Sequence, residues 1–480
     1  MPLKKKVRRM NPVDDLIRLR ERVAAKCRDT GQEHLLERID TIPANGSKYH
    51  YLRTIDEIDL ESLKAKFEAA VSAEKHDASK EIVPYTGKVG SASDEALLAK
   101  SYRAGIEALG AGSVACVLLA GGQGTRLGHD APKGTYDIGL PSGASLFQLV
   151  LQRIMKLREL AKLHGGTSAS IPLYIMTSPM NDDVTKQYMY QHDFFGLPPS
   201  DVRFFCQGTL PCVTNEGLVI QESVKSLAFA PDGNGGIYPA LLKTWNIDDM
   251  EKRGIKHVHV FAIDNALVSP ADPAFIGYCI NENADVGNKV IKRASPDEKV
   301  GMVAETVDGK PVIIEYTEAT PAVREASKHA SICNHFYTLD FLREKAIPGA
   351  EGLYHVARKK IPYWDSRTGK VVQPATSNGI KLESFIFDVF PLSDAMAVWE
   401  VSREGDFAPV KNANAEGAAD TPDIARRMIS ERSRAWLAAA GTELFGDTES
   451  DLCEILPGTS YGGEGLGEYH GKRVKCPFKM

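Results

Sequence analysis

Apolar residues along this chain follow two different spacings that alternate through its middle part. One kind of segment is a short apolar run closed by glycine or polar residues, which is typical of a buried strand. The other kind repeats apolar residues every three or four positions, as in residues 147–164, and indicates a helix. The strand-like segments are residues 114–119, 171–176, 202–205, 257–263, 311–316 and 397–401. This alternation predicts βαβ units, and therefore an α/β fold whose mostly parallel sheet is covered by helices on both faces.

The two ends of the chain are organised differently from the middle. Residues 14–100 are rich in charge and carry apolar side chains at helical spacing. A polar stretch rich in glycine and alanine, residues 411–420, reads as a loop, and a helical segment at residues 424–440 follows it. We therefore expect a helical N-terminal domain, an α/β core and a small C-terminal domain, at residues 1–105, 106–410 and 411–480.

Composition narrows the class of protein. With 480 residues, of which 43% are hydrophobic, the chain can bury a large core. No apolar run approaches the ~18 residues of a membrane span, so we expect no membrane partner. The net charge is −5 although the first ten residues hold five cations and no acid, so the body is acidic and nucleic acid is not an expected partner. That basic start reads as a solvated terminus, with nuclear import or membrane contact as alternatives.

Cysteine usage bears on the compartment. The eight cysteines are scattered without a C-x-x-C pair, which fits buried thiols in a reducing, cytoplasmic setting. Cys206 is the cysteine to watch, because it adjoins a predicted binding residue. The last three residues share the basic-then-apolar ending of a peroxisomal address, although Phe478 replaces the small residue of that signal. A peroxisome-like organelle is therefore the alternative to the cytoplasm.

The most informative motif is the glycine-rich turn that follows the first strand of the core. Gly121, Gly122 and Gly124 let the backbone approach a ligand closely and turn N–H groups toward an anion. Arg126 and Lys133 add two cations beside this turn. The planar guanidinium can bind two phosphate oxygens at once, whereas the lysine acts as a point charge. The pattern indicates a site for a nucleoside triphosphate.

Two better-known phosphate loops do not fit this segment. A Walker loop needs Gly-Lys-Ser/Thr at a helix start, and no such triplet follows this strand. A dinucleotide fingerprint beginning at Gly122 needs glycine where Leu127 stands, which argues against a nicotinamide-dependent oxidoreductase.

An acid closes another apolar strand. Asp264 follows residues 257–263, and an acid at the carboxyl edge of a parallel strand can hold Mg²⁺ on a nucleotide through one or two carboxylates and phosphate oxygens. A helix N-cap is the alternative role. His257 and His259 lie on one face of that strand, where core packing is a better interpretation than a metal pair.

The chain resembles the eukaryotic-type UDP-N-acetylhexosamine pyrophosphorylases, which are sugar nucleotidyltransferases. The resemblance begins with Leu119-Ala120-Gly121-Gly122-Gln123-Gly124-Thr125-Arg126-Leu127-Gly128 and Pro132-Lys133-Gly134. Further motifs follow in the order typical of the family and cover nearly the whole chain; they lie at residues 31–36, 204–211, 230–236, 260–265, 332–336, 378–381, 409–412 and 460–466. The resemblance implies that residues 106–410 form a Rossmann-like nucleotidyltransferase core that contains nucleotide and sugar sites.

The resemblance also implies roles for individual residues. Catalytic cations are expected at Arg126, Lys133, Lys381 and Lys411, each of the last two in a loop, and the metal ligand at Asp264. Nucleotide-binding residues are expected at Ala120, Gly121, Gly122, Gly124, Gln207 and Gly235. Sugar-binding residues are expected at Asn234, Gly301, Glu315, Tyr316, Asn334, Phe385 and Phe387. The chain departs from the family at Cys206, where a second glutamine is usual, and at Pro239, where arginine is usual.

The activity implied by this resemblance is uridylyl transfer with Mg²⁺ as the cofactor. UTP and N-acetylglucosamine 1-phosphate would be the substrates, and UDP-N-acetylglucosamine and pyrophosphate the products. A broader UDP-sugar pyrophosphorylase that uses glucose, galactose or N-acetylgalactosamine 1-phosphate is the alternative. A nucleotide-binding regulator without catalysis is a further possibility, against which the presence of all four lysine and arginine candidates and Asp264 argues.

Overall fold

The computed structural model describes residues 12–75, 82–166, 170–446 and 451–480. The basic residues Lys4, Lys5, Lys6, Arg8 and Arg9 lie outside these ranges. The helices are α1 (Pro12–Thr30), α2 (Asn45–Glu57), α3 (Leu60–Lys75), α4 (Glu95–Gly110), α5 (Leu146–Leu163), α6 (Asp182–Gln191), α7 (Ile237–Lys243), α8 (Asn246–Lys252), α9 (Pro273–Asn281), α10 (Pro321–Ala326), α11 (Leu339–Phe341), α12 (Ile347–Gly349), α13 (Arg403–Asp406) and α14 (Pro422–Ala439).

The strands follow the same numbering along the chain. They are β1 (Ile82–Pro84), β2 (Val89–Ser91), β3 (Val114–Leu119), β4 (Leu173–Thr177), β5 (Val202–Cys206), β6 (Thr209–Pro211), β7 (Val213–Thr214), β8 (Gln221–Ser223), β9 (Ser226–Leu227), β10 (Phe229–Pro231), β11 (His257–Ala262), β12 (Val286–Lys292), β13 (Met302–Thr306), β14 (Pro311–Ile314), β15 (His329–Thr338), β16 (His355–Lys359), β17 (Tyr363–Asp365), β18 (Lys370–Val372), β19 (Gly379–Glu383), β20 (Met396–Val401), β21 (Glu443–Phe445), β22 (Cys453–Glu454), β23 (Arg473–Lys475) and β24 (Phe478–Lys479).

The chain divides into two compact units, each built from separate stretches of sequence. Unit 1 contains residues 1–77, 208–236 and 352–385, and unit 2 contains residues 78–207, 237–351 and 386–480. Unit 2 therefore includes α4 and the stretch from residue 386 onward. The three-domain division expected from the sequence, at residues 1–105, 106–410 and 411–480, stays a prediction.

Unit 2 is built on a mixed sheet of eleven strands. Its main path runs β2-β20-β12-β15-β11-β3-β4-β5, in which all neighbours are parallel except for the pairs made by β15. The strand β3 is buried along its whole length, as its unbroken apolar sequence predicts. Helix α5 begins where the Ser145 hydroxyl accepts a bond from the Gln148 N–H at 3.2 Å, and it buries one face in the core. The predicted α/β fold with a mostly parallel sheet is confirmed.

Unit 1 combines the N-terminal helices with short antiparallel sheets. The helices α1, α2 and α3 share a buried cluster with Val213, Ile380 and Leu382, which belong to the sheet β16-β19-β7. The helical spacing at Leu19 and Val23 therefore corresponds to buried positions on α1. Within the described ranges, no helix combines the length and the apolar composition that crossing a membrane requires.

Candidate active site

The glycine-rich turn leaves the carboxyl end of β3 and folds back on the segment that carries Lys133. The N–H of Lys133 donates to the Gly122 oxygen at 3.1 Å, and the N–H of Gly124 donates to the Ala131 oxygen at 3.0 Å. These two bonds hold the lysine beside the turn, as the short spacing between the two motifs predicts. The arrangement brings Gly122, Gly124 and one expected phosphate-binding cation, Lys133, to the same edge of the sheet.

Gln207 lies against the glycine turn. It follows β5 directly, its N–H donates to the Thr177 oxygen at 2.9 Å, and only 9% of the residue is exposed. A Cβ placed on Gly121 would stand 3.1 Å from the Gln207 Oε1 atom, so only glycine leaves ordinary space for that amide. Two residues predicted separately as nucleotide-binding are therefore neighbours in unit 2.

The Asn181 side chain is hydrogen-bonded to the backbone of the glycine-rich turn, a contact that the sequence analysis did not predict. Its Nδ2 donates to the oxygens of Ala120 and Gly122 at 3.0 and 3.3 Å, while its Oδ1 accepts from the Ser178 N–H at 2.8 Å. Asn181 is buried, at the residue just before α6. An asparagine before a helix reads as a simple cap, so its sequence position alone gives no sign of this contact.

Asp264 stands at the same edge of the sheet as the glycine turn. Strand β11 runs parallel to β3, and the Ile263 N–H donates to the Leu119 oxygen at 3.1 Å, immediately before Asp264. The backbone oxygen of Asp264 accepts a hydrogen bond from the Val410 N–H at 2.8 Å, which places Lys411 next to this turn. The Lys411 ammonium lies 3.7 Å from an oxygen of Asp420 and is 43% exposed.

Three cations and one acid interact at this edge. Burial lowers the pKa of Lys133, the Asp264 carboxylate opposes that effect, and Lys411 and Arg126 lower the pKa further by repulsion. Arg126 is tied to the same region because its backbone oxygen accepts from the Ala413 N–H at 3.2 Å. The result is a cluster of three cations with the carboxylates of Asp264 and Asp420 beside it, which is suited to a polyphosphate.

The residues present fit a magnesium ion that is shared with a ligand. Across the described ranges, no three His, Cys, Asp or Glu side chains gather in a way that would hold a metal by themselves. Mg²⁺ is commonly bound by one or two carboxylates together with phosphate oxygens and water, and Asp264 supplies one such carboxylate beside the cations. His257 and His259 do not form a metal pair, because His257 stacks on Phe336 and both nitrogens of His259 are hydrogen-bonded.

A second group of predicted residues, those expected to bind the sugar, also lies in unit 2. A Cβ on Gly301 would stand 3.4 Å from the Glu315 Oε1 atom, so these two predicted sugar-binding residues are neighbours. The Tyr316 ring has the Arg324 guanidinium 4.9 Å above it. Asn334 is buried on β15, and Phe387 is half-buried against the core.

Cys333 also belongs to this region, and sequence reasoning missed it while singling out Cys206. Burial raises the pKa of the Cys333 thiol to about 12, with further effects from Asp264, Lys411 and Glu315. Its φ is +52°, a conformation that non-glycine residues adopt rarely and that concentrates at functional sites. The sequence gives no sign of this conformation, because a positive φ is usually expected at glycine and nothing in the residues around Cys333 marks a cysteine as adopting it.

The remaining predicted residues belong to unit 1. The Gly235 N–H donates to the Ser384 oxygen at 2.9 Å, which holds the turn that contains Asn234 against the segment leading to Phe385. The Phe385 ring lies 4.5 Å from the His355 ring. The expectation that Lys381 lies in a loop is wrong: it is in strand β19, between the buried residues Ile380 and Leu382. This alternation places it on the face opposite that core.

The two departures from the expected motif lie in unit 2. Cys206 ends β5 with a half-buried thiol that is in no disulfide, and Pro239 is within the first turn of α7, where a missing N–H leaves no helical bond unmade. All eight cysteines lie in the described part of the chain, and none of them forms a disulfide.

Comparison with known proteins gives one family and several close relatives. Residues 61–444 match the family described as UTP–glucose-1-phosphate uridylyltransferase. The chain is 43% identical to a UDP-N-acetylhexosamine pyrophosphorylase-like protein 1 of Xenopus tropicalis over 76% of each chain. It is 37% identical to a UDP-N-acetylglucosamine pyrophosphorylase of Saccharomyces cerevisiae over 92% of each chain.

A solved structure agrees with these relatives. The uridine diphosphate N-acetylglucosamine pyrophosphorylase of Trypanosoma brucei, solved with an inhibitor, superposes with a TM-score of 0.80 at 29% identity, covering 96% of this chain and 95% of that one. The family match spans most of the chain, and the relatives share its length. The chain therefore belongs to the UTP–glucose-1-phosphate uridylyltransferase family, in its eukaryotic-type UDP-N-acetylhexosamine pyrophosphorylase branch.

Proposed function

We propose that this protein is a uridylyltransferase that forms UDP-N-acetylglucosamine and pyrophosphate from UTP and N-acetylglucosamine 1-phosphate. The observation that carries the proposal is the edge of the unit 2 sheet where Arg126, Lys133 and Lys411 interact around Asp264 beside a glycine-rich turn. Relatives named as UDP-N-acetylglucosamine pyrophosphorylases support the choice of substrates.

The proposed reaction is an in-line displacement at phosphorus. An ionised phosphate oxygen of the sugar 1-phosphate attacks the α-phosphorus of UTP, the new P–O bond forms, and the bond to the β-phosphate oxygen breaks. Pyrophosphate leaves with the bonding electrons. No general base is required, because the attacking phosphate carries no proton that must be removed near neutral pH.

The protein's contribution is positioning and neutralisation of charge. Arg126 and Lys133 suit the triphosphate oxygens, because they stand beside the turn whose backbone approaches the nucleotide. Lys411 suits the transferred phosphate, and Lys381 is proposed for a phosphate of substrate or product. Gln207 offers both a donor and an acceptor to the uracil edge, and Gly121 leaves the space for it.

Asp264 would hold Mg²⁺ together with phosphate oxygens. The bound ion would supply charge neutralisation at the phosphates and fix their orientation. We further propose that Asn234, Gly235, Gly301, Glu315, Tyr316, Asn334, Phe385 and Phe387 serve the base and the sugar, as the resemblance implies.

A broader sugar choice is the second candidate, because the matching family is described by glucose 1-phosphate. The test is a steady-state assay of pyrophosphate release from UTP, run with N-acetylglucosamine, N-acetylgalactosamine, glucose and galactose 1-phosphates. We expect the highest kcat/KM with N-acetylglucosamine 1-phosphate. Equal values across the panel would favour the broader enzyme, and no release with any sugar phosphate would contradict both candidates.

A further inference from the structure

His259 is a fully buried histidine on β11 whose two ring nitrogens both have partners. The Ala271 N–H donates to Nδ1 at 2.8 Å, and Nε2 is hydrogen-bonded to the Asn334 Oδ1 atom. A backbone N–H can only donate, so Nδ1 must carry a lone pair and the single proton of the neutral ring resides on Nε2. Hydrogen-bond partners on both sides therefore define the tautomer.

The ring is neutral under ordinary conditions. Burial lowers the pKa of His259 to about 4, and the positive charge of Lys289 acts in the same direction. The hydrogen bond to Asn334 and the negative charge of Asp272 oppose this effect without reversing it. Nε2–H therefore donates to Asn334, which must present its oxygen. An amide turned the other way would set two donors against each other in a buried place, a costly arrangement.

This bond fixes the Asn334 oxygen toward His259 and turns the Nδ2 donor away from it. Among the described residues, no protein acceptor is bonded to the Asn334 Nδ2 atom. In the antiparallel pairing of β11 with β15, Asn334 lies opposite Phe261, three residues before Asp264, so this stretch of β15 is near the end of β11 that carries the acid. The orientation of the Asn334 amide, a predicted sugar-binding group, is thus determined by His259 on the neighbouring strand.

We propose that His259 is a positioning residue that orients the Asn334 amide so that its Nδ2 donates to an acceptor oxygen of the sugar 1-phosphate. The inference rests on the proposed function for the identity of that ligand. His259 does not touch the substrate; its effect passes through the amide of Asn334. A ligand that lacks an acceptor oxygen at that point would leave Nδ2–H without a partner and bind less well.

The first test reads the tautomer directly. In protein labelled with ¹⁵N-histidine, the His259 ring, assigned by its loss in His259→Gln, should show a protonated Nε2 and an unprotonated Nδ1 at pH 7. This measurement needs no activity. A protonated Nδ1 would overturn the proposal whatever reaction the protein catalyses.

The second test separates positioning from a general structural role. His259→Met removes the donor, whereas His259→Gln keeps an N–H near the Nε2 position. We expect the KM for N-acetylglucosamine 1-phosphate to rise about tenfold in His259→Met, as expected for one lost bond, while the KM for UTP changes less than about twofold. His259→Gln should restore the sugar-phosphate KM to within about threefold of the original.

His257→Met is the matched control, because His257 lies on the same strand and stacks on Phe336 without contacting Asn334. It should leave both KM values unchanged. Asn334→Asp, which keeps an acceptor for His259 and loses the donor, should reproduce the His259→Met effect and provides the test if His259→Met does not fold.

An unchanged sugar-phosphate KM in both His259→Met and Asn334→Asp, or an equal rise for UTP and sugar phosphate, would contradict the proposal. Failure of the unmodified protein to turn over any sugar phosphate would instead contradict the proposed function.

Discussion

The N–H of Val410 donates to the backbone oxygen of Asp264 at 2.8 Å. Through this bond the strand-end turn with the proposed metal ligand is joined to the segment that carries Lys411, far away in the sequence. Asn265 and Pro409 form an antiparallel bridge beside it, and the Ala266 N–H donates to the Ala408 oxygen at 3.0 Å. The acid and the lysine are therefore held in a fixed relation by backbone pairing.

Asn265 is predicted to maintain that relation. Its Nδ2 donates to the Asp406 oxygen at 2.7 Å, and its Oδ1 accepts from the N–H groups of Ala408 and Leu267 at 2.9 and 3.2 Å. Asn265→Ala should lower kcat by up to about 10²-fold, because a small displacement of Lys411 misaligns the phosphates.

A double-mutant cycle measures this coupling. In a Lys411→Ala background the further effect of Asn265→Ala should shrink to a few-fold. Asn246→Ala, which removes a buried amide bonded to Thr244, serves as the control and should leave kcat unchanged. Fully additive effects of Asn265→Ala and Lys411→Ala would contradict the positioning role.

Activity is predicted to require a divalent metal through Asp264. Asp264→Ala should lower kcat by about 10²–10³-fold, because phosphate charge would lose a fixed counter-charge. Chelation of metal with EDTA should abolish activity in the unmodified protein, and added Mg²⁺ should restore it. Asp183→Ala, at an exposed acid on α6, is the control. Near-normal turnover of Asp264→Ala at saturating Mg²⁺ would remove this residue from the metal site.

Uridine preference is predicted to depend on Gln207. Gln207→Ala should raise the KM for UTP and reduce the discrimination against CTP, since hydrogen-bonding sites can reject unmatched ligands by up to ~10⁴ or more. The measurement compares kcat/KM for the two nucleotides in both proteins. An unchanged ratio would mean that Gln207 does not contact the base.

Lys411 is predicted to act mainly on turnover. Lys411→Ala should lower kcat by about 10²–10³-fold with a smaller effect on the KM for UTP, because a fixed cation matters most when charge concentrates at the α-phosphorus. Lys381→Ala should behave similarly, and Lys100→Ala, at an exposed position on α4, should have no effect. Circular dichroism verifies folding, and a folded, fully active Lys411→Ala would place that lysine outside the phosphate site.

Stability is predicted to fall in acid because of buried histidines such as His335. Burial lowers the pKa of His335 to about 3, with a smaller effect from His259, and within the described part of the chain neither ring nitrogen has a hydrogen-bond partner. In the unfolded chain this histidine has a pKa of about 6.5, so between pH 6.5 and pH 3 the unfolded state binds more protons than the folded state. The free energy of unfolding therefore has its full value above about pH 6.5 and declines as pH falls toward 3.

His335→Met tests this by removing the titrating group. In urea unfolding, the loss of stability between pH 7.5 and pH 5 should be smaller in the variant by about 2 kcal/mol. His50→Gln, at an exposed histidine, should keep the original dependence. Identical losses in His335→Met and the unmodified protein would show that His335 does not cause the effect.

Much of the fold was predictable because the helices and strands follow from the spacing of apolar residues that are close together in the sequence. The unbroken apolar run at β3 and the helical spacing of α5 and α14 each depend on residues close together in sequence. The same holds for the glycine turn with Arg126 and Lys133, whose short spacing already brings them together. Charge type and strand position were therefore sufficient to predict a phosphate-binding edge of the sheet.

The sequence by itself determined the strands, the helices and the set of chemical groups available at their ends. Tertiary structure alone decided which of those groups meet: Val410 with Asp264, Asn181 with the glycine turn, and His259 with Asn334. It also placed Lys381 in a strand, since a buried partner for Ile380 and Leu382 comes from distant helices. Such contacts depend on sheet register and long-range packing, which join residues that no local spacing relates.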